Sequence, residues 1–267
     1  MENGKRLFTE EELQEFSKDF MGLAMEALER GDVEKAKHWI RRHDANKDWI
    51  HDLYLNWITA LLSKIYDQWG EDACAQVLRE TVVGGQSGWG TPMGLQRAQL
   101  IAEKGREKGL REWIELIVDI WREHSMYPGT TFEEDDEKIV LTMKQCGSGG
   151  RLINKGAYEG PYAYRKFKKA GPNTWGEEGL PVYCGHCVWA HEITPILLTG
   201  EPLWVQVAPF PKKPGDPCIY HFYKDPKDIP EKYFTRIGLK REPAAGQNAL
   251  GFPPTYGIDP DKDAASK

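Results

Sequence analysis

Lys138-Ile-Val-Leu-Thr-Met-Lys144 decides how the chain is to be read. Ile139, Leu141 and Met143 alternate along it and β-branched residues fill it, the pattern of a strand with one buried face. Upstream, the sequence reads as helix after helix. Thr9 and Glu12 form a capping box, since hydroxyl and carboxylate can each satisfy a free backbone donor. Leu13, Phe16, Phe20, Leu23 and Met25 then recur at roughly helical spacing. Asp32 caps a second helix with Ala36, Trp39 and Ile40, and a longer one spans Asn46 to Trp69 with Trp49, Leu53, Trp57, Leu61 and Ile65. Gly70 ends it, and residues 71–81 form another. Residues 84–92 read as a loop, and Thr91-Pro92 opens a long helix reaching about Ser125, carrying Trp113 and Trp121. Packing between helices accounts for these aromatic stripes at least as well as a cofactor pocket would.

Downstream of Pro128 the texture changes. Leu203-Trp-Val-Gln-Val207 and Ile219-Tyr-His-Phe-Tyr223 are two further strands, separated by glycine- and proline-rich connections. The fold class expected is α+β: an N-terminal helical layer packed on a small antiparallel sheet that carries a cysteine-rich metal site. Residues 1–127 form the helical region and 128–240 the α+β metal-binding region. Residues 241–267, rich in Pro, Gly and Asp, read as an extended or disordered tail.

The cysteines gather where the helices stop. Cys74 lies mid-helix beside Ala73 and needs no function. Cys146 follows the strand in Cys146-Gly-Ser-Gly-Gly-Arg151, Cys184 and Cys187 form Cys-Gly-His-Cys, and Cys218 follows the tight turn Pro214-Gly-Asp-Pro217. A Cys-x-x-Cys pair lets two thiolates reach one ion, and two further single cysteines would complete a tetrahedral shell. Soft thiolates select zinc or an iron–sulfur cluster over hard cations. Four cysteine ligands would make a closed structural site. A catalytic zinc would need an open position, with His186, His191 and Glu192 as ligand or proton-transfer groups. The His-Glu pair at 191–192 is not a zincin helix, because Pro195 stands where the second histidine would be. His221 and Cys218 fall on opposite faces of their strand. Arg151 and Ser148, beside successive glycines, are candidates to hold an anionic substrate.

Composition narrows the classes. The 267 residues carry a net charge of −6, with 40% apolar and 28% charged residues, as in ordinary globular proteins. That balance argues against a general nucleic-acid binder, and the run Arg165-Lys-Phe-Lys-Lys169 reads as a solvated face. No stretch approaches the ~20 apolar residues of a membrane helix. The polar start Met1-Glu-Asn-Gly-Lys5 is not a secretory leader, so a cytoplasmic location is expected. In that reducing compartment cysteines serve as metal ligands or catalytic thiols more often than as disulfides.

Two resemblances bear on function. Cys184-Gly-His-Cys187 is identical to the dithiol motif of protein disulfide isomerases, and Val188-Trp-Ala-His-Glu-Ile-Thr-Pro-Ile196 resembles the helix that begins there. The buried parallel strand of a βαβ unit is missing before it, where residues 170–179 are loop. The second resemblance is broader. Tyr66-Asp-Gln-Trp-Gly-Glu-Asp-Ala73, a strand ending at a cysteine, and Gly215-Asp-Pro-Cys218 before an aromatic strand resemble the L-2-amino-thiazoline-4-carboxylate hydrolases and the related 4-vinyl-reductase-type ligand-binding domains. This resemblance implies an α+β fold enclosing a small organic acid or ring compound, with cysteines near the pocket and in some members a zinc. The Cys-Gly-Ser-Gly-Gly and Cys-Gly-His-Cys signatures depart from that pattern, so the family's substrate is not carried over.

The expectation is therefore a zinc-dependent hydrolytic enzyme acting on a small anionic or cyclic molecule. Cys146, Cys184, Cys187 and Cys218 would hold the metal, His186, His191 and Glu192 would move protons, and Ser148 and Arg151 would bind substrate. A small-molecule sensor with a structural zinc and a thiol–disulfide oxidoreductase using Cys184 and Cys187 are the alternatives. Its tryptophan-bearing helices suit packing against a second copy.

Overall fold

The computed structural model describes residues 7–83, 90–124, 129–208 and 210–241. The chain divides into two compact units, Met1–Tyr54 and Leu55–Lys267. In the first, α1 (Glu10–Glu15) opens on the expected capping box: Glu12 N–H donates to Thr9 Oγ1 at 3.2 Å and Thr9 N–H to Glu12 Oε2 at 2.7 Å. The helix expected to run on to Met25 stops early. Asp19 accepts the Gly22 N–H at 2.8 Å and starts a separate helix, α2 (Phe20–Glu29). The next helix, α3 (Val33–Trp69), begins after Asp32, whose carboxylate takes the Lys35 N–H at 2.9 Å. It is continuous where two helices were expected, because Arg41-Arg-His-Asp-Ala45 offers neither Gly nor Pro to break it. Leu23, Ala24, Ala27 and Ala36 are buried here.

The second unit takes α3 from Leu55 onward and adds α4 (Glu71–Val83), α5 (Gly90–Lys104) and α6 (Arg106–Glu123). The expected helix over 91–125 is broken at Gly105, whose φ of +80° suits only glycine, and α6 then packs back on α5. Residues 84–89 of the expected loop lie outside the described residues, as does nearly all of the expected tail.

Four strands form one antiparallel sheet in the order β1-β2-β4-β3: β1 (Thr130–Glu134), β2 (Lys138–Met143), β3 (Val205–Ala208) and β4 (Cys218–Tyr223). The three strands read from sequence are present. The unforeseen β1 is a mostly exposed edge strand whose Thr-Thr-Phe-Glu-Glu has no apolar alternation to announce it. Leu141 pairs with Tyr220 and Met143 with Cys218. Leu141, Met143, Tyr220 and Phe222 then form one core with Trp113, Ile117 and Trp121 of α6 and with Trp204. Trp204 lies 5.3 Å from Trp121 and 5.9 Å from Trp113 between ring centroids, inside the usual range for aromatic packing. The chain is thus α+β, and α6 is the helix seated on the sheet.

An ion cluster ties α5 and α6 to the approach of β3. Glu201 accepts from Arg97 Nη2 at 2.9 Å and from Arg106 Nη1 and Nη2 at 2.9 and 2.8 Å. Arg97 Nη1 also donates to the Pro202 carbonyl at 3.0 Å. Among the described residues no helix is long and apolar enough to cross a membrane.

Candidate functional site

The site forms where β2 and β4 end and a helical run begins. After β2 the chain turns through Cys146-Gly-Ser into α7 (Gly149–Asn154). The backbone N–H groups of Ser148, Gly149 and Gly150 and the thiol of Cys218 all point at the Cys146 sulfur. Donors aimed at sulfur stabilise its charged form. Led by the Cys218 hydrogen bond, and against the opposing effect of burial, they hold the Cys146 thiol below its ordinary range. The same shared proton, together with burial, holds Cys218 above it. The backbone donors of this glycine-rich turn are thus directed at the cysteine that precedes them. Gly149 has a second reason to be glycine: a Cβ there would lie 2.3 Å from Cys184 Sγ.

The Cys-Gly-His-Cys segment does not follow a parallel strand. A short 3-10 turn, Val182–Cys184, feeds α8 (Gly185–Cys187), a π-helical turn (Val188–Ile193) and α9 (Thr194–Thr199). Helical structure thus starts at Gly185, and His191 and Glu192 fall in the π-helical turn. Such turns recur at functional sites. The run packs among Leu62, Leu78, Phe167 and Leu180.

His186 Nδ1 lies 2.5 Å from the Tyr183 carbonyl, and its Nε2 lies 3.3 Å from Cys187 Sγ. A carbonyl only accepts, so Nδ1 carries the proton and Nε2 accepts from the Cys187 thiol. Burial lowers His186 to about 4, leaving the ring neutral. Burial first, then the neighbouring Cys184 and Cys146 and Glu192, push the Cys187 thiol well up. Cys184, also buried, is raised by burial and by Cys146.

His191 and Glu192 have different work. His191 Nδ1 lies 3.0 Å from Gln206 Oε1, its ring stacks 4.2 Å from Trp204, and burial lowers it to about 3. Glu192 is 1% exposed and holds Arg236 Nη2 with both oxygens, at 2.7 and 2.9 Å, while Oε1 also takes the Gln206 N–H at 2.8 Å. Each of those three hydrogen bonds is accepted, so the carboxylate is engaged as an ion-pair partner. Ser148 is buried with its hydroxyl on the Tyr183 phenol, and Arg151 is half-buried on α7 with its N–H donating to the Cys146 carbonyl at 2.9 Å.

The structure therefore assembles two pairs, Cys146 with Cys218 and Cys187 with His186, with Cys184 against Gly149. Among the described residues no three His, Cys, Asp or Glu side chains are arranged to hold one ion. His221 faces away from Cys218, as strand alternation requires. Sequence reasoning passed over Tyr183, Gln206 and Arg236. Gln206 carried a signal: it is a polar residue inside the apolar run Trp204-Val-Gln-Val207. A separate groove of about 560 Å3 is lined by Ile114, Val118, Phe132 and Ile139 with a charged rim, and none of the candidate site residues line it. Comparison of the chain with protein-family models, with curated proteins and with solved structures returns no match.

Proposed function

We propose that the protein is an enzyme acting hydrolytically on a small organic molecule, with Cys146 as its nucleophile. One observation carries the reading: three consecutive backbone N–H groups and the Cys218 thiol are aimed at the Cys146 sulfur. A cysteine so held reacts as thiolate, the form that attacks an electrophilic carbon. Attack forms a C–S bond and expels an amine or alcohol that leaves with a proton. Water then cleaves the C–S bond and regenerates the thiolate. Cys218, hydrogen-bonded to Cys146, and the neutral imidazole of His186, beside Cys187, would move the protons. The substrate class, a small acid or ring compound with a hydrolysable carbon–heteroatom bond, is the one the sequence resemblance implies.

Competitive alkylation tests this. With limiting iodoacetamide at pH 7, Cys146 should be modified about tenfold or more ahead of Cys184, Cys187 and Cys218 by peptide mass mapping. Cys187 is the informative competitor, because it is only half-buried while the other three are buried. Labelling of Cys187 before Cys146 would show that access, not thiolate character, governs, and would sink the reading. Metal analysis of chelator-free protein belongs with it: about one zinc per chain, lost in Cys187→Ser, would assign the thiols to a metal instead.

A further inference from the structure

The disulfide-isomerase-like motif points to Cys184 and Cys187 as the oxidisable pair. Side-chain placement points elsewhere. Cys187 Sγ is directed to His186 Nε2 at 3.3 Å, and Cys184 Sγ is seated against the Gly149 backbone, where it leaves no room for even a methyl group. Each of these sulfurs is occupied by a neighbour other than its motif partner. Cys146 and Cys218, by contrast, touch through an S–H···S hydrogen bond and lie in the same buried core. Their proximity is fixed by backbone, not by side-chain chance. Cys218 pairs in register with Met143 at the end of β2, and Cys146 stands three residues beyond Met143, inside the turn that α7 closes through Arg151 N–H to the Cys146 carbonyl. The register and the turn bring the two thiols within reach of each other, the juxtaposition a disulfide requires.

We infer that Cys146 and Cys218 form a reversible disulfide under peroxide, so that the site is an oxidative modification site in which Cys218 is the resolving thiol. The Cys146 sulfur attacks one oxygen of hydrogen peroxide, forming an S–O bond while the O–O bond breaks and hydroxide leaves. Cys218 sulfur then attacks the sulfenic sulfur. The S–S bond forms, the S–O bond breaks, and the Cys218 proton leaves with the departing oxygen. Two thiols and one peroxide give one disulfide and two waters, a two-electron oxidation, and an external dithiol reverses it. The inference adds regulation to the proposed nucleophile: closure consumes Cys146 and shuts the site until reduction. The cysteines named by the motif stay reduced throughout.

The full-length chain, reduced and then freed of reductant, is exposed to near-stoichiometric hydrogen peroxide and followed by intact mass and peptide mapping. The expected product is lighter by about 2 Da, carries a Cys146–Cys218 cross-linked peptide, and reverts with dithiothreitol. Cys187→Ser should close at the wild-type rate. Cys218→Ser should instead gain about 16 Da, trapped by a cyclic dione that marks sulfenic acid. A Cys184–Cys187 cross-link, or no loss of mass in the wild-type chain, would overturn the assignment even if Cys218→Ser failed to fold. Alkylation in the absence of oxidant separates the two ideas: fast Cys146 labelling without a disulfide leaves the nucleophile and removes the switch.

Discussion

At the scale of single residues, burial decides what each candidate can do. His186 and His191 sit in surroundings that disfavour a charged ring, at about 4 and about 3. An unfolded histidine takes its proton near 6.5, so between that value and the folded one the unfolded chain binds more protons. Stability is therefore complete above about pH 6.5 and falls on acidification, by up to about 1.4 kcal/mol per pH unit for each such histidine. Urea denaturation of the wild type and of His191→Gln between pH 7 and pH 5 tests this. The variant should show a shallower dependence, and equal slopes would mean that His191 is not held neutral by the fold.

At the scale of elements, much was legible and the breaks were not. Amphipathic spacing marks the helices in the sequence, but Asp19 and Gly105 cut helices that the spacing runs together, because a single cap or a single left-handed residue outweighs continuity of pattern. The strands at 138–143 and 218–223 were legible from alternation. Edge strand β1 was not, since an exposed strand needs no apolar face. Within the site, sequence named the four cysteines but not their partners. The register that sets Cys218 beside the end of β2 joins positions far apart in the chain, and no local pattern encodes it. The cluster around Glu201 was invisible for the same reason. Burial pushes that carboxyl up, yet Arg97 and Arg106 outweigh it and hold it below the ordinary range, so its contribution is present above about pH 4.3 and lost as pH falls further. Arg97 is only 5% exposed, and Glu201→Ala would strand it without a counter-charge. We expect a cost of about 3–5 kcal/mol, seen as a melting temperature lower by roughly ten degrees at pH 7. A melt within a degree of wild type would show that the cluster holds nothing together.

At the scale of the whole molecule, the protein is unevenly secured. α1 buries none of its residues and has six, held by one capping box, too short to persist by itself. β2 and β4 are the interior strands of the sheet, β2 lying between β1 and β4 with α6 packed on it. Hydrogen exchange read by mass spectrometry should find α1 amides exchanging first and those of β2 and β4 last; early exchange in β2 would contradict the sheet as the stable centre. The pairing of those two strands also bears on how the protein is made. β2 is translated at 138–143 and β4 only at 218–223, with Cys146, the Cys-Gly-His-Cys helix and β3 in between. A chain emerging from the ribosome can close the β1–β2 hairpin early, but must wait for β4 before the sheet is complete, a delay set by topology. For that interval Cys146 has been synthesised and its neighbour has not. Newborn chains are thus the population in which an oxidised Cys146 has no Cys218 to rescue it.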